Sequence, residues 1–248
     1  MRGAPVGFTK HYRTADAMRR AQAHHSWLDR LGLPVPALIA CRPRSLELSH
    51  IPGRHVAPND VPASARLLGA AHTAAYRACL HRARLGAPFH LPGIGALEAF
   101  TTSRIDRVRQ HLEQGSVPAP AFTAKEAAQV LSSAADEPAA FYKDANLRNF
   151  LVTQTGIVVI DFDDLTLAPF GYDLAKLILT TAMTYGPLPP RLTTTALDAY
   201  NQATEIPCTP DRLRDWLEIH HILTSPYLGR NGYTHSWHTL RPTETRPR

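Results

Sequence analysis

Asp144 and Asn149 stand five positions apart in the run Tyr142-Lys143-Asp144-Ala145-Asn146-Leu147-Arg148-Asn149, and Ile160-Asp161-Phe162-Asp163-Asp164 follows closely. Two apolar segments, 150–153 and 157–160, lie between them and are separated by Gln154-Thr155-Gly156, which predicts a short β-hairpin. The hairpin returns the chain on itself, so carboxylates far apart in sequence come back to one edge. A carboxylate that orients a hydroxyl, with hard oxygen ligands for Mg²⁺, is what phosphoryl transfer requires. Its transition state needs in-line positioning and neutralisation of charge spread over phosphate oxygens.

The elements that must position these groups can be read around them. Residues 8–12 form a short predicted strand carrying Lys10, after which Thr14 or Asp16 can cap a helix that Gly32 stops. Pro34 and Pro36 forbid helix and bias their predecessors toward an extended link. A strand over 45–49, with leucines at 46 and 48, precedes the turn Ile51-Pro52-Gly53-Arg54.

From there the chain becomes helical. Segments at about 60–85 (with Pro62 in its first turn), 97–114 and 124–135 are predicted helices, the last with the capping-box spacing Thr123-Ala124-Lys125-Glu126. After the hairpin, Leu174, Leu177, Ile178 and Thr181 form one stripe at helical spacing, and two more helices are expected at 192–203 and 211–223. The order predicts an α+β fold and excludes regular βαβ alternation. Residues 1–54 would form a small β-containing lobe and hinge, 55–233 a larger, mostly helical lobe with the hairpin, and 234–248 a mobile tail.

With 248 residues and 44% hydrophobic content the chain can bury a full core. The three cysteines, Cys41, Cys79 and Cys208, are odd in number and widely spaced, which indicates neither a disulfide framework nor a zinc cluster and fits a reducing, cytoplasmic setting. No signal-like apolar region or bilayer-length apolar run occurs. The net charge of +6 is scattered over predicted helices and the carboxy terminus, so a nucleic-acid partner is not expected. The thirteen histidines include no H-E-x-x-H, and His24-His25 and His220-His221 read as solvated or core residues. P-loop, dinucleotide and G-x-S-x-G patterns are absent.

The spacing Asp144-x-x-x-x-Asn149, the hairpin, Asp161-Phe162-Asp163 and the downstream Tyr172-Asp173-Leu174-Ala175 together resemble the aminoglycoside phosphotransferase and choline kinase family, relatives of the protein kinases. Weaker similarity lies at Thr9-Lys10, at Leu31-Gly32-Leu33-Pro34-Val35-Pro36 and at the hinge-like Leu46–Arg54 segment. The resemblance implies a protein-kinase-like fold and an ATP- and Mg²⁺-dependent transfer to the hydroxyl of a small molecule. It implies that Asp144 accepts or orients the hydroxyl proton, that Asn149 and Asp161 bind Mg²⁺ with Asp163 as a further ligand, and that Lys10 and Ser49 contact the nucleotide. Asp173 would hold the catalytic loop or cap its own helix.

The sequence also departs from the family. Tyr142-Lys143 replaces the usual His-Gly before the catalytic Asp, and Asn146 and Arg148 replace a frequent His and Gly. Arg148 could neutralise a transferring phosphoryl group or bind an anionic substrate. Only nine residues precede Lys10, and Gly3 and Gly7 cannot make a glycine-rich loop, so the smaller lobe is expected to be incomplete. That leaves a start upstream of Met1 or an altered nucleotide site. The helix after Lys10 offers Ala21 or Gln22 where a glutamate would pair with it. A binding module that keeps the hairpin without phosphotransfer is the alternative function. Trp216, Tyr227, Tyr233 and Trp237 could line a substrate pocket or pack the core.

Overall fold

A computed structural model describes residues 7–241, and Gly3 lies outside them. The amino-terminal lobe contains β1 (Gly7–His11), α1 (Ala15–Arg30), β2 (Leu38–Arg42) and β3 (Ser45–Ser49). Its strands form an antiparallel sheet in the order β1-β3-β2, with Lys10 opposite Leu46. Thr14 caps α1 by accepting from the Ala17 N–H at 3.1 Å. Met18, Ala21, His24, His25, Trp27 and Leu28 recur at helical spacing and bury one face of the helix.

The linker and the larger lobe follow as β4 (Arg54–His55), α2 (Val61–Ala78), β5 (Phe89–Leu91), β6 (Gly95–Leu97), α3 (Thr101–Glu113), α4 (Ala124–Ser133) and β7 (Ala139–Tyr142). The hairpin is β8 (Phe150–Thr153) and β9 (Gly156–Val159), after which come β10 (Thr166–Pro169), α5 (Tyr172–Tyr185), α6 (Leu192–Asn201), α7 (Pro210–Thr224) and α8 (Trp237–Leu240). The architecture is α+β, with small antiparallel sheets set among helices, as expected. No described helix is long and apolar enough to cross a membrane.

Several boundaries differ from the sequence reading. Helix α2 ends at Ala78, because Cys79 leaves helical geometry before a short 3-10 turn at Leu80–Arg82. Leu97 belongs to the β5–β6 hairpin, around Pro92-Gly93, rather than to α3. Strand β10 was not expected; it pairs antiparallel with β7, Leu167 opposite Phe141. Trp216 is a core residue, fully buried against Phe100 and Tyr172 with ring centroids 5.7 and 5.4 Å away. The described part of the expected tail is packed: Trp237 is buried and donates to Glu218 at 2.9 Å, and Arg241 pairs with the same carboxylate at 2.6 Å. A buried indole and an ion pair hold residues whose composition alone reads as mobile.

The segment between the lobes is tied to the hairpin. Strand β4 pairs with β8, Arg54 opposite Val152 and His55 opposite Leu151, and the Pro34 carbonyl accepts from Val159 N–H at 2.7 Å. Gly53 permits this approach, since a Cβ there would stand 2.8 Å from the Val152 carbonyl oxygen. Gly53→Ala is therefore expected to destabilise the fold by about 1–3 kcal/mol through overpacking. A urea denaturation midpoint checks it, and an unchanged midpoint would mean that the linker is not clamped.

Candidate active site

Strand β7 delivers the chain to Tyr142, and the backbone then turns sharply: Asp144 adopts a φ of +59°, a region in which Asp is tolerated better than most side chains. Asp173, in the first turn of α5 and fully buried, holds that turn. Its carboxylate accepts from the Lys143 and Ala145 N–H groups at 3.1 and 3.0 Å. His72 Nε2 lies 3.6 Å from the same carboxylate, while His72 Nδ1 meets the Tyr200 hydroxyl at 2.8 Å. Of the two roles the sequence leaves open for Asp173, holding the loop is the one these contacts describe.

The loop closes on itself. Asn149 Nδ2 donates to the Asp144 carbonyl at 2.9 Å, and Asn146 Oδ1 accepts from the Arg148 N–H at 3.0 Å, capping the 3-10 turn Leu147–Asn149. The Ile160 N–H donates to the Asn149 carbonyl at 2.9 Å, one step beyond the β8–β9 pairing, so Asn149 and Asp161 flank the open end of the hairpin. Asp161 also has a positive φ, +57°. Two left-handed aspartates at one edge are backbone strain concentrated at the candidate chemistry.

Lys10 reaches this edge from the smaller lobe. Its ammonium lies 2.6 Å from Asp161 Oδ1 and 2.8 Å from Asp163 Oδ2. Partial burial disfavours the ammonium, but hydrogen bonds to Asp161 and Asp163 outweigh it and raise the Lys10 pKa. Tyr12 donates to Asp163 Oδ1 at 3.2 Å, and His24 Nδ1 lies 2.8 Å from the Asp163 carbonyl oxygen. Helix α1 thus braces the Asp-Phe-Asp backbone through a histidine, and the counter-charges of Lys10 come from the other lobe.

Ser49 stands apart from this edge in sequence, at the end of β3, where its hydroxyl accepts from the Ala37 N–H at 2.9 Å. Arg148 is half-buried and lies against Gly232, where an added Cβ would meet its Nη2 at 1.7 Å. Among the described residues Arg148 has no carboxylate partner.

The sequence marks Tyr142-Lys143 as a departure and Tyr233 as a pocket or core residue without announcing their contacts around the Asp144 loop, and it does not single out Lys176 at all. Tyr142 donates its hydroxyl to Asp144 Oδ1 at 2.8 Å. Lys176, on α5 and with its side chain only 13% exposed, places its ammonium 3.6 Å from Asp144 Oδ1. Tyr233 is buried and its hydroxyl meets Asn146 Nδ2 at 2.5 Å. Lys143 is buried beneath the loop, donating to the Ile160 carbonyl at 3.1 Å, with its ammonium 5.0 Å from the Phe150 ring centroid. Burial pushes the Lys143 pKa down to about 8, against the pull of Asp173, Asp144 and Asp161. The only sequence signal for Lys143 is its place beside Asp144.

The donor set suits Mg²⁺. The Asn149 amide nitrogen is spent on the Asp144 carbonyl, which leaves its Oδ1 as the atom that could serve a metal, and Asp161 and Asp163 could add carboxylate oxygens. Among the described residues no three His, Cys, Asp or Glu side chains gather as a metal cage. Two carboxylates and an amide match an ion that keeps water and phosphate oxygens among its ligands.

Residues 8–216 match the family described as phosphotransferase enzyme family, abbreviated APH. No curated protein matches the sequence. Among solved structures, amicoumacin kinase hAmiN, in complex with AMP-PNP, Ca²⁺ and Ami, is similar at 15% identity and a TM-score of 0.64, over 90% of this chain and 75% of that one. Macrolide 2'-phosphotransferase MphH from Brachybacterium faecium is similar at 17% identity and a TM-score of 0.57, over 99% and 87%. An aminoglycoside-3'-phosphotransferase of type VIII is similar at 18% identity and a TM-score of 0.55, over 89% and 86%. At these identities the likeness is one of fold.

Proposed function

This chain belongs to the phosphotransferase enzyme family, and from that membership and its site we propose that it transfers the γ-phosphoryl group of Mg-ATP to a hydroxyl of a small molecule. The observation that carries the reading is the convergence of Lys10, Asp144, Asn149, Asp161 and Asp163 at the open end of one hairpin. The hAmiN complex with AMP-PNP and Ca²⁺ supports the nucleotide and the divalent cation.

In this reading Asp144, 49% exposed at its side chain, accepts the hydroxyl hydrogen of the acceptor and aims its oxygen at the phosphorus. The Tyr142 hydroxyl and the loop bonds from Asp173 hold that carboxylate in place. Lys10 leaves Asp161 and Asp163 to bind phosphate oxygens, and Ser49 marks the nucleotide side. Asn149, Asp161 and Asp163 would hold Mg²⁺, which when bound supplies positive charge to the phosphate oxygens.

The test is ADP release from Mg-ATP against aminoglycosides, amino alcohols, sugars and nucleosides, beside thermal unfolding with Mg-ATP. Saturation at a hundred times Kd is expected to stabilise the chain by about 2.7 kcal/mol. Neither stabilisation nor acceptor-dependent ADP release would leave a binding module without phosphotransfer.

A further inference from the structure

Among the described residues, the side of Asp144 that bears Lys176 and Arg148 has more positive charge than its carboxylates balance. Lys176 is largely buried, yet its shortest polar contact is the neutral Thr224 hydroxyl at 3.1 Å, with Asp144 at 3.6 Å, beyond hydrogen-bond distance. The Arg148 guanidinium rests on Gly232 without a carboxylate among the described residues. Tyr233 joins the two regions, since its hydroxyl meets Asn146 and it feels both the Asp144 carboxylate and the Arg148 guanidinium. Beneath Tyr142, buried Arg104 stands 5.1 Å from the ring centroid and spends its bonds on the Phe100 carbonyl and the Thr166 hydroxyl.

The acids of the helices around the site are engaged elsewhere. Glu205 pairs with Arg77, Asp211 with Arg214, Asp215 with Arg212 and Glu218 with Arg241. Asp173 is buried under the loop, and Asp198 is exposed on α6. Among the described residues, a polycation entering here would meet Lys176 and Arg148 with one carboxylate, Asp144, to receive it.

We propose that the acceptor carries, besides its hydroxyl, an anionic group, a carboxylate or a phosphate, received by Lys176 and Arg148. This rests on the phosphotransfer reading and names the substrate class for the same site. Arg148 supplies a forked set of donors matched to carboxylate or phosphate oxygens, and Lys176 a compact charge close to the reacting hydroxyl. Of the two roles open to Arg148, binding an anionic substrate is the one its surroundings favour.

Matched acceptors test it with the full chain and Mg-ATP: glycerate against glycerol, ribose 5-phosphate against ribose, and kanamycin as the polycation. The anionic member of at least one pair is expected to show kcat/KM roughly tenfold to a hundredfold higher, the worth of a charge-assisted hydrogen bond. The pair that responds separates carboxylate from phosphate. Arg148→Gln and Lys176→Met should erase the preference, Arg148→Gln mainly through KM. Preference for the neutral or polycationic acceptors, or the same anionic preference in both variants, overturns the proposal. Should no acceptor turn over, calorimetry of glycerate and inorganic phosphate at low salt still decides it. Binding lost in Arg148→Gln and Lys176→Met but kept in Lys10→Met supports the anion site while the phosphotransfer reading fails. No binding to the wild-type chain overturns the anion site.

Discussion

Replacing Asp144 by Asn is expected to lower phosphoryl transfer roughly 10²- to 10⁴-fold, the usual worth of a positioned general base, while leaving the fold intact. The substitution is chosen for its neutrality elsewhere. Asn tolerates the left-handed backbone found at Asp144, and its amide oxygen can still accept from the Tyr142 hydroxyl. What it cannot do is take a proton. Single-turnover measurements with Mg-ATP and an accepted substrate, beside a urea titration to establish equal stability, would check it. Activity within tenfold of wild type would remove Asp144 from the role of base.

Asp173→Ala should act in the opposite way, on the fold first and on activity through it. The carboxylate is fully buried and satisfies two backbone N–H groups of the loop around Asp144. Its removal strands both donors and leaves His72 without the neighbouring charge 3.6 Å away. At about 1–3 kcal/mol for each stranded group, a loss on the order of 3–5 kcal/mol is expected. Chemical denaturation with an unchanged m-value would measure it cleanly. A loss under about 1 kcal/mol would mean that the loop finds other acceptors, contrary to the burial of its N–H groups.

Residue type and spacing make part of this site legible in the sequence. Asp144, Asn149 and Asp161 stand out because phosphoryl chemistry restricts both. Helix starts are legible for a similar local reason: the Thr123–Glu126 capping box forms as the sequence predicts, and of the two caps open to α1 it is Thr14 that forms. Strand β10 is not legible, because four residues ending in proline carry no alternation and their partner, β7, lies more than twenty positions away. Lys143 is hidden differently. Lysine is normally exposed, and no local pattern announces that the Ile160 carbonyl and the Phe150 ring will receive it. Lys10 lacks a glutamate on α1, and its two partners come from a segment about 150 residues downstream.

The pairing of β4 with β8 bears on motion. The strand that joins the lobes is also the third strand beside the β8–β9 hairpin, Arg54 and His55 lying beside Val152 and Leu151. A displacement of the smaller lobe is therefore not absorbed by a slack tether. It pulls on β8, whose first residue follows Asn149, or it breaks the β4 pairing. Substitutions in the linker are therefore expected to reach the positions of Asn149 and Asp161 as well as the stability of the fold.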